Sequence, residues 1–400
     1  MKILTSCSIA IFSLALGVSA CAEPVAQGAK NVPEFEPAFE NQTRAPAMQS
    51  DIGIAVETVA SGLSHPWGIA ELPGGGFLVT ERAGRLRVIS ADGELLETAV
   101  EGVPEVHAVK QGGLLDVALG PDFARDRMIY LTYSKPAGDG KSVTAAARGV
   151  LSEDMTRLEE VEDIFVQDPP SPTPMHYGSR VVFDGDGHVF ITTGEHSSMA
   201  ERGMSQDLST TYGKVIRLNL DGSVPMDNPF ASEEGAIDTI WSYGHRNVQG
   251  AAYRDGVLWT LEHGPKGGDE LNRAKAALNY GWPVVSYGET YGGAPIGEGI
   301  PRAEGMEEPV YYWDPVIAPG GFDFYDGQMF EAWQGDILAG SLSPGGLVRL
   351  KLDGDGMVTG EERLVEDQGR IRDVEVTSDG SVLLLVDEAN GAVLRLTSQD

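Results

Sequence analysis

A unit of two short apolar strands joined by an Asp-Gly or Gly-Gly turn returns along most of this chain, and it constrains the fold more than any other feature. It reads "GIAELPGGGFLVTE", "RVVFDGDGHVFITTGE", "AAYRDGVLWTLEHG" and "DVEVTSDGSVLLLVDE". Asp-Gly pairs suit type I′ hairpin turns, which need positive φ at both central residues. Each unit is followed by a further strand carrying an outward basic residue: "GRLRVI", "GKVIRLNLDG", "GLVRLKLDGDG" and "GAVLRL". "GLLDVALGPDFARDRMIYLTYS" and "GFDFYDGQMFEAWQGDILAGSL" are variants with longer turns, which brings the count to six. Amphipathic helices are scarce, and 51 glycines fit a chain of tight turns. Repetition of this kind points to an all-β, six-bladed β-propeller of four-stranded antiparallel blades, spanning 51–400 as one domain. A β-sandwich or solenoid is the alternative reading of the same pattern. The strand near "IAVETVASGL" is expected to close the ring by completing the last blade.

The flanks read differently. Residues 1–21 form a secretion signal, with Lys2, an apolar stretch from Ile9 to Val18 and small residues after it. "VSAC" resembles a lipobox in which Cys21 becomes the lipidated first residue; cleavage after Ala22 is the other option. Either way the chain is expected to be exported, as a periplasmic protein or an outer-membrane-anchored lipoprotein. The other cysteine, Cys7, lies in the leader, so the mature domain has no disulfide, redox cysteine or Cys-zinc site. Residues 22–50, rich in Pro, Gln and Ala, read as a flexible tether. Acidic residues outnumber basic ones 60 to 29, for a net charge of -31. That excludes the basic footprint of nucleic-acid binding and a polybasic hold on lipid, leaving an anchor at Cys21 as the membrane contact. No G-x-G-x-x-G lies between a strand and a helix, which argues against a Rossmann nucleotide site.

Four polar clusters interrupt the hairpin rhythm. "PPSPTPMHYGSRVVF" delivers His176 just before an apolar strand, as a general base, a ligand or a loop residue bonded to backbone. "IWSYGHRNVQG" sets His245, Arg246 and Asn247 together; Arg246 offers a planar donor fork and Asn247 both a donor and an acceptor, at a site or at a plain strand end. "LEHGPKGGDELNRAKAALNYGWP" turns at Gly264-Pro265, where successive carbonyls can converge as hard oxygen ligands, with Asp269 and Glu270 following, unless these are solvated acids of an inter-blade turn. In "DQGRIRDVEV", Arg370 and Arg372 alternate and so face one side, as an anion-binding pair or as partners of surface acids.

Taken together, and with "HPWGIAELPGGGFLVTERAGRLRVI" and "QGGLLDVALGPDF", these motifs resemble the soluble propeller-type sugar dehydrogenases that use pyrroloquinoline quinone (PQQ), over roughly 54–396. The resemblance implies His176 as the base that takes the proton of a sugar's anomeric hydroxyl while hydride passes to the quinone. It implies Gln111, Arg246, Asn247, Arg370 and Arg372 as cofactor contacts, Arg246 also stabilising charge on the quinone oxygen. The carbonyls of Gly264 and Pro265 would bind a Ca2+ that polarises the quinone, and Glu270 with the Tyr280 carbonyl a second, structural Ca2+. His245 would have a supporting role. The implied reaction oxidises an aldose to its lactone and passes electrons to a separate acceptor. "GSLSPGG" departs from the family, placing Ser343 and Pro344 where a cofactor-contacting lysine is common; His263 stands where glutamine is familiar. A non-catalytic binding propeller and a calcium-dependent lactonase are the competing functions.

Overall fold

The computed structural model describes residues 23–399; the leader and Cys21 lie outside them. Six antiparallel sheets are present, five of four strands and one of three. The three-stranded sheet is blade one, Pro66–Glu71, Phe77–Glu81 and Arg85–Ile89. Its fourth position is taken by an irregular run held to it by the bridges Leu86–Val100 and Ile89–Leu95 and by Arg87 Nη2, which donates to the Leu96 carbonyl at 2.7 Å. Gly93, Gly102 and Pro104 break the alternation that a full ladder would need. The ring closes as the sequence implied. Gly53–Leu63 pairs antiparallel with Gly391–Gln399, so the N-terminal strand is the outermost strand of blade six.

In the inner strands the apolar runs are nearly continuous because both faces are buried, whereas outer strands such as Gly53–Leu63 and Leu158–Val166 are largely exposed. One hydrophobic cluster fills each of the six blade-to-blade interfaces. In Val382–Val386, Leu384 packs toward blade five, while Leu383 and Leu385 pack toward blade one.

The innermost strands, Pro66–Glu71, Leu114–Leu119, Gly178–Phe183, Val248–Arg254, Pro319–Phe324 and Ile371–Val376, stand side by side around a central channel. All six show a register shift near their start. A bulge there bends the strand and re-aims its side chains, so every blade turns residues at the same end of the channel. Lower down, Arg180 crosses the channel. Its Nη1 lies 2.8 Å from Asp116 Oδ1, its Nη2 2.8 Å from Asp373 Oδ1, and its Nε donates to the Gln249 carbonyl at 2.7 Å. The guanidinium stands 4.5 Å from the Trp67 ring centroid.

The segment expected to be a flexible tether is packed on the propeller instead. Asn31 and Val32 donate backbone N–H bonds to the two Asp314 oxygens at 2.9 and 3.0 Å. Gln42, fully buried, donates to Glu308 and the Pro309 carbonyl, both at 3.0 Å. Ala47 forms a parallel bridge with Glu361. Its low apolar content argued for disorder, but its amides meet acceptors presented by blades four and five.

Replacing Arg180 by Met leaves Asp116 and Asp373 buried without their cation, a loss of about 3–5 kcal/mol. Denaturant unfolding should show that cost. Adding Asp116→Asn and Asp373→Asn should recover much of it, because the unpaired charges cause the loss.

Candidate active site

At the bulged ends of the inner strands lies a cavity of ≈ 360 Å³. Its wall brings together Gln111, His176, Arg246, Asn247, Arg370 and Arg372, the whole expected base and cofactor set. Each comes from a loop entering an innermost strand or from that strand's first residues, which explains how stretches so far apart in sequence meet. Several of these loop residues are non-glycine yet left-handed, including His65 (φ 47), His176 (φ 47), Ser197 (φ 56) and Ala318 (φ 45). Such conformations cost on the order of 1–3 kcal/mol each and collect at functional sites.

His176 is 5% exposed, and its Nδ1 lies 2.7 Å from Glu195 Oε1. Its backbone N–H donates to Gln111 Oε1 at 2.8 Å, tying two expected site residues together. Burial, helped by the Arg246 charge, holds the imidazole pKa well below 6.5. Burial also pushes the Glu195 carboxyl up to about 7 against the pull of Arg246. Desolvation therefore disfavours charge on both partners. When Glu195 is ionised it accepts Nδ1–H, which leaves the Nε2 lone pair free. Glu195 was not picked out from the sequence. A signal existed: in four of the six units the second strand runs into an acid, as Glu81, Glu195, Glu262 and the Asp387-Glu388 pair.

Arg246 is 6% exposed and donates from Nη1 to the His263 carbonyl at 2.8 Å, while its Nε has no hydrogen-bond partner. Asn247 Oδ1 accepts the Gly178 N–H at 3.0 Å. His245 does not reach the cavity. It bridges Ser242 and Glu262 at 2.9 and 3.1 Å and stacks on Tyr280, the supporting role expected of it. His263 lines the cavity and donates Nε2–H to the Pro319 carbonyl at 2.7 Å, so its Nδ1 carries the lone pair. Arg372 lies 2.8 Å from Asp387, whereas the half-exposed Arg370 is 3.9 Å from it and donates to the Leu342 carbonyl.

Gly264, Pro265, Glu270 and Tyr280, expected in two ion sites, line one narrow cavity behind Arg246, together with Glu262. Among the described residues no N–H or O–H donates to the carbonyls of Gly264, Pro265 or Tyr280. Asn272 Nδ2 donates to both Glu262 and Glu270, at 3.1 and 3.2 Å. Burial and then the neighbouring Glu262 push the Glu270 carboxyl well above its usual value. Two crowded carboxylates and free carbonyls form an oxygen set that suits a hard cation. A larger cavity, ≈ 740 Å³, opens at the other channel mouth, where Arg180 and Arg254 share the wall with more carboxylates, Asp323 and Glu375 among them, and its described lining holds no histidine.

Residues 63–395 match the glucose/sorbosone dehydrogenase family. The chain is 42% identical to the aldose sugar dehydrogenase YliI of Escherichia coli, over 87% of this chain and 94% of that protein. The apo crystal structure of the soluble E. coli aldose sugar dehydrogenase superposes with a TM-score of 0.83 at 41% identity, covering 87% of this chain and 100% of the other. The PQQ-bound aldose sugar dehydrogenase of Streptomyces coelicolor gives 0.71 at 29% identity, covering 89% and 100%.

The crowding of Glu262 and Glu270 predicts a reversal with metal. In chelator, Glu270→Gln should melt above the wild type, since it removes a disfavoured charge. As calcium is added the wild type should overtake it, because an ion bound only by the native state adds stability in proportion to its affinity. Thermal melts across a calcium titration would check both halves.

Proposed function

The chain belongs to the glucose/sorbosone dehydrogenase family, and from that premise we propose that it is a PQQ- and calcium-dependent aldose sugar dehydrogenase that oxidises the anomeric carbon to the lactone. The observation that carries this reading is the meeting, in one cavity, of His176, held from behind by Glu195, with Arg246, Arg370 and Arg372. A base beside concentrated positive charge suits removal of a proton next to a bound polyanion.

The residues fit the cofactor. Arg370 and Arg372 would hold its carboxylates, and Gln111 and Asn247 would complete the contact. When bound, the quinone supplies a carbonyl carbon able to accept the two electrons of a hydride. His176 Nε2 takes the proton of the anomeric hydroxyl, and Glu195 fixes the tautomer that leaves Nε2 free. Arg246, with an Nε free of protein partners, would stabilise negative charge on the quinone oxygen. The Gly264 and Pro265 carbonyls would hold the calcium that polarises the quinone, a Lewis-acid role. Glu270 and the Tyr280 carbonyl, with Glu262 close by, would hold the structural calcium. Electrons leave to an external acceptor. The reading also places the protein outside the cytoplasm, with Cys21 as its lipid anchor.

The test is to titrate PQQ into the purified apo-protein in calcium buffer, following absorbance, then to add aldoses and a dye acceptor. Saturable binding with sugar-dependent dye reduction is expected; absence of both would reject the reading. His176→Ala should lower kcat by roughly 10²–10⁴-fold with the bound-cofactor absorbance intact.

The pH profile tests the pair. Protonation of Glu195 turns its carboxyl into a donor to Nδ1, so the imidazole proton moves to Nε2 and the base is silenced. kcat/KM should therefore fall as pH drops through about 7. Glu195→Gln carries no proton to lose there. That limb should move well below pH 6.5, toward the lowered pKa of His176 itself. An unmoved limb would remove Glu195 from the mechanism.

A further inference from the structure

The sixth-blade stretch "GSLSPGG" leaves one expected positive contact unfilled. In the structure Leu342 lines the cavity and its carbonyl is taken by Arg370 Nη1 at 3.0 Å, so that position offers no cation. A different arginine stands in the cavity wall. Arg82 follows the second strand of blade one, in "TERAG", far from the other cofactor contacts in sequence. Its backbone is held on both sides, by its N–H to the His65 carbonyl at 3.2 Å and by the Leu114 N–H to its own carbonyl at 3.3 Å. Nη1 donates to the Lys110 carbonyl at 2.7 Å, one residue before Gln111. Its Nε is enclosed without a hydrogen-bond partner.

The charge balance sets Arg82 apart from its neighbours. Arg372 is paired with Asp387 at 2.8 Å, and Arg370 reaches the same carboxylate at 3.9 Å. No described carboxylate lies within 4.0 Å of Arg82. It nevertheless acts on the site, for burial would raise the Asp387 carboxyl, yet Arg372, His65 and Arg82 together hold it low. An arginine fixed at one nitrogen, uncompensated, and facing a pocket for a multiply charged anion is placed to bind that anion with the rest of its fork.

We infer that Arg82 binds a carboxylate of the anionic quinone and supplies the positive contact that Ser343 and Pro344 do not. This rests on the quinone reading of the cavity. It adds to it a contact from blade one, on the Gln111 side.

The experiment measures PQQ affinity of the full chain by absorbance and tryptophan quenching in calcium buffer, at several ionic strengths, for wild type, Arg82→Gln and Arg82→Lys. Circular dichroism melts establish that each variant is folded. Arg82→Gln should bind roughly 10- to 100-fold more weakly, the loss of one charge-assisted contact, and its affinity should depend less steeply on salt. Arg82→Lys keeps the charge but not the fork, and should fall between wild type and Arg82→Gln, with the wild-type salt dependence retained. Wild-type affinity in Arg82→Gln would overturn the inference. Equal weakening in both variants would overturn it too, by showing that Arg82 acts only by bracing the Lys110–Gln111 loop. A wild-type chain that binds no PQQ would sink the quinone reading, and the inference with it; binding by the wild type without an Arg82 effect sinks the inference alone.

Discussion

The site depends on one buried cation across the channel. Arg180 enters from blade three and ties Asp116 of blade two, Asp373 of blade six and the Gln249 carbonyl of blade four, beneath Trp67 of blade one. Gln249 then passes the constraint upward, accepting from Arg372 Nη1 at 2.8 Å through Oε1. Five of six blades are thus referenced to one guanidinium directly below the cavity floor. A propeller's interfaces are apolar and non-directional, so they fix the blades' packing more firmly than their rotation about the channel. Directional bonds to a single planar group set the angles, and the bulges above translate those angles into side-chain positions. The same plug separates two cavities of opposite character, arginine-rich above and carboxylate-rich below.

The fold was legible because its signal is repeated. Each hairpin is weak evidence alone, but six in series leave few closed solutions, and even the closing strand could be read from its position before the first unit. The residues that meet in the arginine-rich cavity were legible as motifs clustered just ahead of apolar strands. Glu195 and Glu262 were not, because each reads as an ordinary strand-ending acid, and only the bulge and neighbouring loops reveal which acids point inward. Arg82 escaped for a related reason, looking like one more turn arginine in "TERAGRLR". Residues 23–50 misled in the opposite sense. Composition speaks to whether a segment can form its own core, and this one borrows its partners, such as Asp314 and Glu308, from the propeller.

Desolvation shapes the site more than any pairing does. It holds His176 and His263 neutral, raises Glu195 to about 7 and pushes Glu270 well above the usual carboxylate range. In water a histidine beside a glutamate would form an ion pair, but here burial charges both members for ionising. The outcome is a base kept unprotonated by its surroundings and a carboxyl whose proton decides the tautomer. Among the described residues no cation forms an ion pair with Glu270, which makes that cavity a place where an added ion gains most.

A net charge of -31 contrasts with a cavity lined by four arginines. The two operate over different distances. At physiological ionic strength, exposed charges are screened beyond roughly 8 Å, so most surface acids are invisible from inside the cavity. What an entering anion meets is Arg82, Arg246, Arg370 and Arg372 against Asp387 and Glu388. Within that count Arg372 is largely spent on Asp387, so the balance rests on the cations without firm carboxylate partners. The acidic exterior then works in the other direction, repelling anions that come close to the surface and leaving neutral molecules free to approach.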